Sequence, residues 1–280
     1  MFEIIFLFVL ALIWLIFATI QDVRTTEIAN WICFSLIIFA LGFRLFYSLF
    51  EGNGFGFFYQ GVIGLVIFFV LGNVFYSGKM FAGGDAKLFI ALGPVLPFSQ
   101  DFLANVNGFF LFLMIFLICG GIYSLLASTW LCFMNYSAFR KEFKKQFKIN
   151  KNKASLSLII SIAFILLAYF INFYFLFLGI LMFILPYLYL YAKSVDEVAM
   201  VKEINSNQLR EGDWLYKDVK IKGSVIKATW DGLSRKEIYL LRKHKKKVLI
   251  RQGVPFTPVF LISFPVFFYL WNKGLGYPFW

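Results

Sequence analysis

The chain has 280 residues, of which 61% are hydrophobic, 21% aromatic and only 15% charged, with a mean hydropathy of +0.78. That balance excludes a water-soluble globular enzyme and reads as a polytopic membrane protein. A net charge of +12 with a single histidine, His244, argues against a Ser-His-Asp triad, a Cys-His pair or a His-rich metal centre, so any hydrolytic chemistry falls to carboxylates.

At roughly 20 residues per transmembrane helix, the apolar runs predict eight spans, at about 4–21, 31–50, 57–77, 86–103, 108–134, 155–171, 173–191 and 254–271. The first lacks a basic leading region, carries Glu3 and is followed by no small-residue cleavage site, so a retained helix is expected rather than a signal peptide. The fourth is interrupted by Gly93-Pro94 and Pro97, which a membrane helix tolerates when neighbours satisfy the freed carbonyls. Residues 154–192 carry no charge and are too long for one span, which predicts a helical hairpin turning near Asn172. Cys33, Cys119 and Cys132 lie in apolar stretches without CxxC spacing and read as buried thiols.

Charge then sets an expected orientation. Of the 27 Lys and Arg, seven lie in 135–153 and fifteen in 193–253. Basic residues near spans mark the cytoplasmic side. Eight spans put both basic stretches on that side, together with the 22–30 and 78–85 loops, whereas the opposite loops carry Glu51 and Asp101. Both chain ends would then face outward. This places a core at 1–134, a basic loop at 135–153, the hairpin at 154–192, a basic cytoplasmic subdomain at 193–253 and the last helix at 254–280. In the subdomain, 218–223 and 224–229 alternate apolar and polar residues as half-buried strands do. Ser234 and Glu237 fit a capping box opening a helix to about Lys247. The run from Arg242 to Lys247 reads as a solvated positive flank or as a contact for anionic lipid headgroups. Nucleic-acid binding is not expected, because topology already accounts for the basic charge. The expected fold class is an all-α polytopic membrane protein with a small α+β cytoplasmic subdomain before its last helix.

Two aspartates carry the chemistry. Asp22 and Asp85 each lie where an apolar segment meets a short polar turn, and a carboxylate there is costly unless it is paired or functional. Either residue alone also reads as a helix cap, or as a partner for Arg24 or Lys87. Together, held close, they would form two carboxyls sharing a proton, the pair an aspartyl protease needs to activate water. Gly83 and Gly84 precede Asp85 and open a helix, allowing a close backbone approach or a positive φ.

The run Asp22-Val23-Arg24-Thr25-Thr26-Glu27-Ile28-Ala29-Asn30, with Gly83-Gly84-Asp85-Ala86-Lys87, resembles the two sites of the type IV prepilin and archaeal preflagellin peptidases, which are GxGD aspartyl proteases. Asp22, Arg24, Ile28 and Asn30 match the first site in register, and Gly84, Asp85 and Lys87 match the second. Ala29 stands where the family has Pro, and Ala82 where it has the first Gly of GxGD. The resemblance covers residues 5–100. It implies that Asp22 and Asp85 are a catalytic dyad, shaped by Arg24, Ile28, Asn30, Gly83, Gly84 and Lys87. It also implies cleavage, at the cytoplasmic face of the plasma membrane, of a short basic leader from pilin-like or archaellin precursors, with no metal or cofactor. The four-cysteine zinc module of bacterial members is missing here, a pattern closer to the archaeal enzymes. Two other classes stand beside this reading. A small transporter or channel subunit would want a polar midplane, and a non-catalytic assembly scaffold would need neither aspartate site.

Overall fold

The computed structural model describes residues 2–50, 54–221, 224–229 and 232–275, so Glu51, Lys222 and Gly223 lie outside the described residues. Among the described residues, ten α-helices follow in chain order: α1 (Phe2–Thr25), α2 (Asn30–Phe50), α3 (Gly56–Ser77), α4 (Gly83–Leu92), α5 (Phe102–Met134), α6 (Tyr136–Ile149), α7 (Lys151–Phe170), α8 (Tyr174–Ala199), α9 (Arg235–Lys243) and α10 (Thr257–Leu270). Six of them, α1, α2, α3, α5, α7 and α8, are long and apolar enough to cross a membrane. The chain is therefore a multi-pass membrane protein, although two of the eight expected spans are shorter. The fourth is the 10-residue α4, about 15 Å long and roughly half an apolar bilayer core. The eighth is the 14-residue α10, which contains Pro265 and continues as a π-helical turn, Trp271–Leu275.

The chain divides into two compact units. The first comprises Met1–Ser124 with Pro255–Trp280, so α10 belongs with the N-terminal helices rather than with the segment that precedes it. On α1 the buried residues Leu7, Ala11, Leu15 and Ala18 recur at three- and four-residue spacing, one helical face turned inward. Phenylalanines fill the core. Phe68 meets Phe89 at 4.7 Å between ring centres, Phe116 meets Phe260 at 4.7 Å, and Phe8 stacks on Phe268 at 4.0 Å. Such offset and edge contacts add to simple burial.

Glycine lets α3 receive α4 closely. A Cβ at Gly64 would sit 2.3 Å from the Gly93 carbonyl oxygen, and one at Gly72 would sit 2.7 Å from Ile90. Small residues at such crossings give the helices packing contact that the bilayer itself does not drive. After Leu92, Pro94 and Pro97 prevent the helix from continuing, and an irregular tail runs to α5. Its polar backbone is satisfied from neighbours, as an apolar surrounding requires. Arg44 Nε donates to the Pro94 carbonyl at 2.7 Å, and its Nη2 donates to Val95 and Pro97. Gln60 Nε2 donates to Gln100 O at 3.1 Å, and Asn105 both accepts from Ser99 N and donates to Ser99 O.

The second unit, Leu125–Val254, contains the predicted hairpin of α7 and α8. The turn lies where expected: Asn172 Oδ1 accepts the Tyr174 amide at 3.0 Å. Ser161 Oγ donates to the Gly179 carbonyl at 2.8 Å, and a Cβ at Gly179 would meet Ile165 at 2.9 Å. The stretch expected as a basic loop at 135–153 is instead helical. In α6, Phe139, Phe143 and Phe147 recur every four residues. Phe139 meets Tyr191 and Phe147 meets Tyr187 on α8, while the lysines stay outside.

The subdomain is built on a three-stranded antiparallel sheet in which β5 (Lys247–Arg251) lies between β1 (Val201–Asn205) and β2 (Trp214–Leu215). A separate hairpin pairs β3 (Val219–Ile221) with β4 (Ser224–Ile226), close to the two predicted strands. Ser234 and Glu237 form the expected capping box at the start of α9. The helix ends at Lys243 rather than near Lys247, because Lys245 turns with φ 46° and Lys247 pairs with Asn205 in the sheet. Leu209, Leu215, Ile226, Leu233, Ile238, Leu241, Val248 and Ile250 form the subdomain's own core.

Candidate active site

Asp22 lies in the last turn of α1 and is buried. The helix stops just beyond it: Thr26 turns with φ 55°, and its amide donates to the Asp22 carbonyl at 2.7 Å. The side chain faces the start of α10. Asp22 Oδ2 accepts from the Thr257 hydroxyl at 2.9 Å and from the Thr257 amide at 3.3 Å. Arg24 is exposed and pairs with no described residue, so Asp22 is not held as its ion partner.

Asp85 occupies the first turn of α4, which opens at Ala82. The backbone at Ala82 favours the charged form of the Asp85 carboxyl, as the start of a helix does for an acidic residue in its first turn. Lys87 leaves it free of a counterion, since Lys87 Nζ donates instead to Asn30 Oδ1 at 2.8 Å. Burial, then the Asp22 charge, push the Asp85 carboxyl from an ordinary 3.8 up to about 7. The second cause acts between helices that α2 and α3 separate in sequence.

Two further contacts lace the expected motifs together. A Cβ on Gly84 would come within 3.3 Å of the buried Ile28 side chain, so glycine there lets α4 approach the segment after α1. Lys87 and Asn30 close the other side. Neither Gly83 nor Gly84 has a positive φ, and Gly83 has room for a Cβ, with its nearest neighbour, Tyr76, at 3.8 Å. Close approach at Gly84 is therefore the requirement, not unusual backbone. Both departures from the family pattern are accommodated. Ala82 has φ −70° and ψ 161°, open to any residue. The Ala29 amide donates to Gln21 Oε1 at 3.3 Å, a bond that proline cannot make.

Thr257 escaped the sequence reading, which treated 254–271 only as a span. The available signal was Thr257-Pro258, a helix start with proline in its first turn. Tyr123 lies beside it, its hydroxyl donating to the Pro255 carbonyl at 2.8 Å.

Residues 9–125 match the type IV leader peptidase family. A preflagellin peptidase of Methanococcus maripaludis is 31% identical over 93 residues, 33% of this chain and 40% of the relative. A preflagellin peptidase of Methanocaldococcus jannaschii is 32% identical over 90 residues, 32% of this chain and 38% of the relative. The chain thus spans about two fifths of the length of these curated relatives. No solved structure matches it. The resemblance read from the motifs is borne out over residues that contain both Asp22 and Asp85, while Thr257 lies beyond them.

Proposed function

We propose, from the type IV leader peptidase match over residues 9–125, that this chain is a membrane aspartyl endopeptidase with Asp22 and Asp85 as its dyad. One observation carries the reading: the fold joins the two motif segments, Gly84 against Ile28 and Lys87 on Asn30, and there burial, then the Asp22 charge, push the Asp85 carboxyl up to about 7. In the working state Asp85 holds that proton and Asp22 is the carboxylate. Asp22 takes a proton from a water, whose oxygen adds to the scissile carbonyl carbon, and Asp85 gives its proton to the carbonyl oxygen. The tetrahedral diol then collapses: its C–N bond breaks, and the nitrogen leaves with a proton returned by the dyad.

The substrates on this reading are precursors with a short basic leader before an apolar helix, of pilin-like or archaellin type, as the relatives' name preflagellin peptidase supports. The dyad faces the cytoplasm of the plasma membrane, a placement that the basic stretches 135–153 and 193–253 support. Ile28, Asn30, Gly84 and Lys87 hold α4 against the end of α1. Arg24 and Gly83, the remaining matched or flanking positions, line the approach to the dyad. The test is incubation of membranes containing the chain with tagged candidate precursors, following leader loss by gel shift and mass spectrometry. No cleavage of any leader-bearing precursor, by membranes that contain the folded chain, would sink the proposal.

A further inference from the structure

Thr257 is the first residue of α10, lies 235 residues from Asp22 in sequence and is fully buried. It offers two donors, amide and hydroxyl, to the same carboxylate oxygen. An aspartate carboxyl otherwise turns broadly about its last torsion. Among the described residues, Asp22 Oδ1 has no donor. The start of α10 is itself anchored: Tyr123 holds the Pro255 carbonyl, and the Phe256 ring packs edge-on against Phe116 at 5.8 Å.

Resting on the peptidase reading above, we propose that Thr257 is the positioning residue of Asp22. By holding Oδ2 it fixes the rotation of the carboxylate and leaves Oδ1 as the oxygen that takes the proton from water. The consequence is that the site extends beyond the family-matched stretch, because a residue after the basic subdomain completes it.

Thr257→Val and Thr257→Ser separate this role from packing. Valine keeps the branched shape and loses the hydroxyl; serine keeps the hydroxyl and loses the methyl. The assay measures cleavage of a tagged preflagellin-type precursor in detergent, with D22N and D85N in parallel and thermal unfolding of every variant. T257V is expected to lower kcat about tenfold or more, the size of one lost hydrogen bond to a charged group, with KM unchanged. T257S should stay close to wild type. Wild-type kcat in T257V, or an equal loss in T257S, overturns the proposal in favour of packing alone. Where T257V does not fold, Thr257→Ala takes its place, with T257S as the rescue. Activity in D22N or D85N overturns the dyad, and the positioning role with it. Silent aspartate variants beside a fully active T257V remove the positioning role alone.

Discussion

Replacing Arg44 tests how the Asp85 helix is held. The guanidinium is fully buried in α2, lies 4.2 Å from the Phe57 ring, and has no acidic partner among the described residues. Its partners are backbone: Nε to Pro94 O at 2.7 Å, Nη1 to Phe57 O at 2.9 Å, and Nη2 to Val95 O at 3.3 Å and to Pro97 O. Three of these carbonyls follow α4, where the negative end of the helix dipole favours a cation. Arg44→Met leaves four carbonyls without their donor. At about 1–3 kcal/mol for each buried group so orphaned, the low end sums to about 4 kcal/mol. Removing a buried charge returns part of that through avoided desolvation, so a net loss of about 2–4 kcal/mol is expected. Against a total stability of about 5–15 kcal/mol, this is a large fraction. Thermal unfolding in detergent, followed by tryptophan fluorescence, reads it. A Cβ at Gly61 would sit 2.4 Å from Arg44 Cδ, so Gly61→Ala should cost far less in the Arg44→Met background than alone. Unfolding of Arg44→Met within about 1 kcal/mol of wild type, or simple additivity of the two changes, would refute this role of Arg44.

Asp22→Asn and Asp85→Asn should each abolish precursor cleavage at unchanged membrane expression, because an amide can neither take nor give the shared proton; near wild-type processing by either would remove that residue from the mechanism. The Asp85 carboxyl, raised from 3.8 to about 7, makes stability fall as pH climbs: between those values the folded chain keeps a proton that the unfolded chain has lost, and the cost stays in full above pH 7. Melting curves from pH 4 to 8 should therefore descend in wild type and flatten in D85N, and parallel curves would contradict the burial of this group. For orientation, single cysteines at the exposed positions Glu27 and Asn207 should be shielded from an impermeant thiol reagent in intact cells, and one at the exposed Gln100 should label. Labelling of Glu27 would put the dyad on the outer side.

What was legible in the sequence was whatever local chemistry decides. Charge-free runs gave the long helices, the Asn172 turn followed from a stretch too long for one span, and Ser234 with Glu237 announced a helix start that side chain and backbone both honour. The amphipathic α6 was equally readable from Phe139, Phe143 and Phe147, but its lysines drew attention to charge rather than to period. Strands β1 and β5 escaped because their pairing joins residues about fifty positions apart, which no local pattern encodes. The short fourth helix is a different case. Pro94 and Pro97 marked the break, yet what makes the break tolerable is an arginine on another helix, Arg44, about fifty residues away in sequence.

The same contrast divides the site. Asp22 and Asp85 could be picked out because a carboxylate is rare in so apolar a chain, and the residues between α1 and α4 that meet each other, Ile28 with Gly84 and Asn30 with Lys87, already sat beside them in the two motifs. Thr257 has no such signature. A threonine followed by proline at the head of an apolar helix is ordinary, and only the fold of the first unit turns its hydroxyl onto Asp22. A rare residue in a hostile environment identifies itself from sequence. The common residue that makes the environment tolerable is visible only once the chain is folded, and for this protein that second kind includes both Arg44 behind Asp85 and Thr257 behind Asp22.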